Sequence, residues 1–200
     1  MNTYNDYVVT KKIDLNLTRL KYSCYLMHNF VKKHFDNGIN FPAYDDVSGK
    51  TSLTTNLYNT YNLFLYPYDE FYNLYEEVKT FFRDCCIDED QYYIQCWVNF
   101  YKKGDFIDWH NHWAPEHRTW HGFFCVDCEP SKTTYNVPGY DEPLDVVSEN
   151  NLLVMSRSNG DTHRTWPWED ETRDRITIAF DIVPRQFIDP SIFVNHWVPI

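Results

Sequence analysis

Residues 173–183 read RDRITIAFDIV, and the alternation inside them decides the fold. In an extended chain successive side chains point to opposite sides. Arg175, Thr177, Ala179 and Asp181 would then share one face, and Ile176, Ile178, Phe180 and Ile182 the other. The apolar face predicts a strand packed on a core. A lone arginine on the opposite face of an inner strand needs an anion, because an unpaired buried charge is costly.

Three further stretches have the same character: QYYIQCWVNFY (91–101), HRTWHGFFCV (117–126) and NNLLVMS (150–156). Each is short, β-branched or aromatic, and bounded by Gly, Pro, Asn or Asp. Upstream the period changes. LTRLKYSCYLMHNFVKKHF (17–35) spaces Leu20, Cys24, Met27, Phe30 and Val31 as a helix does. YDEFYNLYEEVKTFFRDCC (68–86) repeats the pattern with Phe71, Leu74, Tyr75, Val78, Phe81 and Phe82. YVVTKKIDLNL (7–17) suits one early strand, and NGINFPAYDDVSGKTSLTTN (37–56) reads as loop. The closing FIDPSIFVNHWVPI (187–200) is apolar enough to dock on the body. Helices first and strands afterwards predict a mainly β fold, a sandwich or barrel with flanking helices outside it. A single domain over 1–200 is expected: helical support to about residue 90, a β core over 91–183, and a docked tail over 184–200.

The 18 Lys and Arg against 29 Asp and Glu leave a net charge of −11, which repels phosphate backbones and argues against nucleic acid as a partner. No apolar run reaches the roughly 20 residues of a membrane span. The N-terminal MNTYNDYVVTKK lacks the apolar core of a secretory leader. Six cysteines without paired rhythm read as free thiols in a cytoplasmic protein. Cys125 and Cys128 form a CxxC, but no second half-site accompanies it.

Half of the eight histidines fall in GDFIDWHNHWAPEHRTWHGFF (104–124), as His110, His112, His117 and His121. On a strand, His110 and His112 share a side, roughly 6.5–7 Å apart at the backbone, so both rings can lean onto one metal. A third protein ligand must come from elsewhere, and His163 in SNGDTHRTWPW (158–168) offers it. Asp108 lies on the same face as His110 and is an alternate oxygen ligand. His117 and His121 read as polar rim residues; His28, His34 and His196 read as packing histidines. Arg157, Arg164 and Arg173 read as solvated, with Arg173 the substitute should Arg175 point away. The triplet HNH is not the nuclease motif of that name, whose residues spread over a larger hairpin.

The order Tyr101, Gly104, His110-x-His112, His163, then Arg175-Ile-Thr-Ile-Ala-Phe resembles the Fe(II)- and 2-oxoglutarate-dependent dioxygenases over about residues 92–183. It is most similar to the prolyl-4-hydroxylase-like branch, with its small virus-encoded members. The resemblance implies a double-stranded β-helix, or jelly roll, of the cupin-like kind, following the helical N-terminal half. It also implies His110, His112 and His163 as iron ligands. Arg175 would anchor the far carboxylate of 2-oxoglutarate, with Thr177 and Tyr101 beside it. The implied reaction hydroxylates a peptide residue or small molecule while 2-oxoglutarate is converted to succinate, with ascorbate a further candidate cofactor. Trp97, Trp109, Trp113, Trp120 and Phe123 are available to wall the pocket. The chain departs from the family at His112, where a carboxylate is usual, and in GFFCV (122–126), where a tyrosine is usual. Two other classes compete: a three-histidine cupin-type dioxygenase that does not use 2-oxoglutarate, and a non-enzymatic jelly roll. The prime substrate and the oligomeric state are not readable from the sequence.

Overall fold

The computed structural model describes residues 2–3, 7–35, 61–189 and 197–200. Ten strands and two helices are described: β1 (Asn2–Thr3), β2 (Val8–Lys12), α1 (Leu17–Phe35), α2 (Asp69–Cys85), β3 (Tyr92–Tyr101), β4 (Trp120–Asp127), β5 (Ser131–Asn136), β6 (Leu144–Ser148), β7 (Leu152–Arg157), β8 (Thr162–Thr165), β9 (Arg175–Pro184) and β10 (Val198–Pro199). They form a seven-stranded sheet in the order β1-β2-β7-β4-β9-β3-β10 and a three-stranded sheet in the order β6-β5-β8. The fold is a jelly roll with helices on one side.

Strand β9 behaves as its alternation predicts. Ile176, Ile178, Phe180 and Ile182 pack with Leu20, Cys24 and Met27 of α1 and with Phe71, Leu74, Val78 and Phe81 of α2. The other face of the large sheet meets the small one through Val8, Cys125, Tyr135, Val146 and Val154. Helix α2 has Asp69 and Glu70 in its first turn and Arg83 in its last, which suits the helix dipole. On α1, Phe30 is a correction: it is 45% exposed rather than in the core, set edge-on to Tyr66 at 5.9 Å. His28 packs on Phe100 at 4.5 Å. The 37–56 stretch and His196 lie outside the described residues, as does the side chain of His34.

Two local differences from the sequence reading affect the site. Residues 108–112 are not a strand: only His110 pairs, in an isolated bridge with His163. Trp113 turns the chain at once with φ 54°, so the run cannot continue. Arg118 takes φ 51°, and β4 accordingly starts at Trp120 rather than at His117.

The outer edge of β3 is closed in two ways. Val198 and Pro199 pair with Ile94 and Tyr93. Nearby, Asn62 Nδ2 donates to the Ile94 carbonyl at 2.9 Å, and the Val98 N–H donates to Tyr61 Oη at 3.0 Å.

Gly122 sits where β4 is squeezed between β7 and β9. A Cβ there would meet the Val154 carbonyl at 2.3 Å and Phe180 Cζ at 2.6 Å. The first obstacle is backbone in a paired strand and cannot swing aside. Gly122→Ala is therefore expected to cost about 3 kcal/mol or more, lowering Tm by roughly 6–12 °C for a chain of this size. An unchanged calorimetric Tm would show that the strands are not held this close.

Candidate metal centre

The bridge between His110 and His163 rests on two backbone hydrogen bonds, 3.0 and 2.9 Å long. It brings the two ring centroids to 4.1 Å. His112 follows two residues later, its ring 5.4 Å from His110 and 5.2 Å from His163. One ligand nitrogen from each of the three lies within 4.8 Å of the others. The three rings named from the sequence do come together, through a bridge and a turn instead of a regular strand.

Two of these rings are oriented from behind. His110 Nδ1 donates to the Asp108 carbonyl at 2.7 Å, and His112 Nδ1 donates to Asp181 Oδ1 at 2.7 Å. Each bond fixes the tautomer that leaves Nε2 with its lone pair free for a metal, and a carboxylate partner also raises the ring's basicity. His163 differs: its Nδ1 is buried and has no hydrogen-bond partner among the described residues. The Asp108 carboxylate does not join the cluster. It is exposed and accepts from the Trp109 N–H at 2.8 Å, so Asp108 contributes through its backbone.

His121 corrects the sequence reading. It is no rim residue: 2% exposed, it stacks on His112 at 4.5 Å and on His163 at 4.7 Å. Its Nε2 lies 3.3 Å from Asp161 Oδ2, and His121, Asp161 and His163 form a second His–His–Asp group that could hold a metal. His117 is half-buried, with its ring against Phe187 at 4.5 Å. The signal for His121 was present in the alternation of β4, which puts it on the face of Phe123 and Cys125. Asp181 was legible on the polar face of β9; Asp161 had no signal of its own.

Burial favours neutral rings here. It lowers His110 to about 4, aided by the charge of His112. It also pushes His163 well down and lowers His121. For His112 burial acts in the same direction, but the Asp181 charge and hydrogen bond outweigh it and raise the value. Protons are taken up by the unfolded chain near 6.5, before the folded His110, His121 and His163 accept them. The stability these groups give is full above that pH and is lost as pH falls toward about 4. His112 opposes this, since its raised value adds stability that fades as pH rises. Three groups outweigh one, so the Tm of the metal-free protein is expected to fall steadily between pH 7 and 4.5. A flat melting profile over that range would contradict the burial of these rings.

Along the same face of β9, Arg175 is 1% exposed, and its Nε and Nη1 have no hydrogen-bond partner among the described residues. Its guanidinium lies 4.9 Å from the Tyr101 ring, its cross-strand neighbour on β3. Thr177 and Cys128 lie beside this pair, the Cys128 thiol donating to the Ile176 carbonyl at 3.0 Å. Tyr135 Oη, Thr133 Oγ1 and Ser148 Oγ, all from the small sheet, are likewise buried without partners. A cationic group and several unused hydroxyls facing inward form a lining suited to an oxygen-rich anion. Arg173, the substitute anchor, is engaged with Asp170 and Asp127. Trp120 faces the helices, against Phe82 at 6.1 Å, and does not wall this pocket. All six cysteines are free.

Neither a family model nor a curated protein sequence matches the chain. Solved structures share its fold. A viral collagen prolyl hydroxylase from Paramecium bursaria Chlorella virus-1, in complex with 2-oxoglutarate, is 11% identical with TM-score 0.54, over 89% of this chain and 96% of that one. A Pseudomonas putida prolyl-4-hydroxylase is 11% identical with TM-score 0.53, over 89% and 92%. AviO1 from Streptomyces viridochromogenes Tue57 is 14% identical with TM-score 0.59, over 93% and 91%.

Proposed function

We propose that the chain is an Fe(II)- and 2-oxoglutarate-dependent oxygenase that hydroxylates a peptide residue or a small molecule, with residues 91–183 as its catalytic core. One observation carries this reading above the others: the Arg175 guanidinium is buried without a carboxylate partner among the described residues, on the strand face that also holds Asp181 behind His112. A buried unpaired charge is expensive, and a dicarboxylate cosubstrate would supply the counter-charge. The donor set fits iron, since neutral imidazoles suit Fe(II) as well as Zn(II), Cu(II) and Ni(II).

In this reading His110, His112 and His163 hold the ion, Arg175 holds the far carboxylate in a two-pronged hydrogen bond, and Tyr101 and Thr177 flank it. When bound, iron and 2-oxoglutarate would put dioxygen to use, one oxygen atom entering the substrate and the other the succinate that forms as the cosubstrate loses carbon dioxide. The chain supplies orientation and a dry pocket. His112 replaces the usual carboxylate, and Asp181 returns negative charge to the site through the His112 ring. The free thiols support a reducing compartment, and no helix among the described residues is long and apolar enough to cross a membrane.

The test loads the protein with Fe(II), adds 2-oxoglutarate and measures succinate, with Mn(II) plus N-oxalylglycine as a binding probe. Succinate should form, slowly even without prime substrate. At a hundred times its Kd the probe should add about 2.7 kcal/mol, or roughly 5–10 °C in Tm. Metal binding without any response to 2-oxoglutarate or N-oxalylglycine would favour the three-histidine cupin-type reading, in which Arg175 binds the substrate. No metal binding at all would leave a non-enzymatic jelly roll.

A further inference from the structure

The three histidines read from the sequence do not exhaust the donors of this pocket. His121 projects from β4 and Asp161 from the turn before β8, and their ligand atoms lie within 4.8 Å of each other and of His163. Asp161 is 3% exposed, and among the described residues no lysine or arginine pairs with it. Its two oxygens have only loose company: His121 Nε2 at 3.3 Å and the Asn159 N–H at 3.3 Å. Charge-assisted hydrogen bonds are normally about 2.7–2.9 Å. A carboxylate this buried and this weakly satisfied is costly. The ring common to both groups, His163, is also the one whose Nδ1 has no partner, although metal-ligating histidines almost always engage their second nitrogen.

We propose that the pocket has a second, inner position for a divalent first-row cation, held by His121, Asp161 and His163. Both positions draw on His163, so a single ion occupies one or the other. Two imidazoles and a carboxylate are the donor set of non-haem Fe(II) sites, whereas three imidazoles also suit Zn(II), Cu(II) and Ni(II). The same ground applies to Fe(II), so the inner position competes with the outer one for the iron of the proposed function, and Co(II), which accepts oxygen donors, is expected in the inner one. This inference rests on the reading of the pocket as a metal centre, but it fails separately from the assignment of His110 and His112.

Co(II) titration followed by visible absorption, with metal analysis after gel filtration, tests it on the full chain. The proteins compared are wild type, His110→Gln/His112→Gln, His121→Gln/Asp161→Asn and His163→Ala. The first double variant is expected to keep one equivalent of Co(II) with a near-wild-type spectrum. The second should keep one equivalent with an altered spectrum, and His163→Ala should bind none. The inference is overturned if the first double variant binds no Co(II) while the second matches wild type. If the second double variant alone loses the ion, the inner position stands and the assignment of His110 and His112 falls. Should either double variant not fold, Asp161→Asn alone decides: an altered Co(II) spectrum supports the inner position, and an unchanged one overturns it.

Discussion

Arg175→Met is expected to weaken 2-oxoglutarate binding by about 2–5 kcal/mol, a factor of roughly 30 to 4,000, while metal content stays at the wild-type level. The size follows from burial: at 1% exposure the guanidinium is shielded from bulk solvent, so a bound carboxylate meets it less screened than at the surface. The same burial gives the variant a second signature. Without cosubstrate the wild-type protein holds a buried cation with no carboxylate partner among the described residues, and exchanging it for an apolar side chain of similar length should leave Tm unchanged or higher. Binding measured by calorimetry in the presence of Mn(II), alongside the melting curve of the ligand-free protein, separates these effects. Wild-type affinity in Arg175→Met would mean that the anchor is another group. A fall in Tm would mean that the guanidinium is already satisfied within the fold.

His163→Ala is expected to abolish metal retention. His163 sits 4.1 Å from His110, 5.2 Å from His112 and 4.7 Å from His121, and it belongs to both donor groups. Every other candidate ligand belongs to one. Loss of even an outer hydrogen-bond partner typically weakens metal sites about 10–100-fold, and deletion of the shared ligand should exceed that. Metal analysis after gel filtration reads the result directly, and iron content equal to wild type would remove His163 from the centre. The backbone bridge between His110 and His163 involves no side chain, so the fold should survive the substitution.

The parts of the molecule that were legible in the sequence are those in which burial is apolar. Helix α1 runs from Leu17 to Phe35 and β9 begins at Arg175, as their periodicities predict, because their packed faces are nearly pure hydrocarbon. The small sheet was not legible. Its strands read SKTTYN, LDVVS and THRT, and their buried positions include Thr133, Tyr135, Ser148 and His163. Those side chains face the polar pocket, so the apolar alternation that announces a strand is absent where the chemistry lies. His121 was passed over although the alternation of β4 places it on the face of Phe123 and Cys125. Among four histidines in one stretch, only the pairing of β4 with β7 and β9 distinguishes a buried ring from a peripheral one. Asp161 follows the Asn159-Gly160 turn, which the sequence marks, but its value emerges only when β4 and β8 are brought together.

The closed margin of the large sheet has a consequence for how this protein lives among its own copies. A flat rail of open amides and carbonyls on so aromatic a chain would recruit a neighbour's strand and start a fibre. Val198, Pro199, Tyr61 and Asn62 occupy that rail on β3, and a strand of two residues, β1, stands at the opposite margin. Association of copies through this margin is therefore opposed by a handful of residues outside the metal cluster, and trimming the terminal pair, Val198 and Pro199, would harm handling before it harmed chemistry.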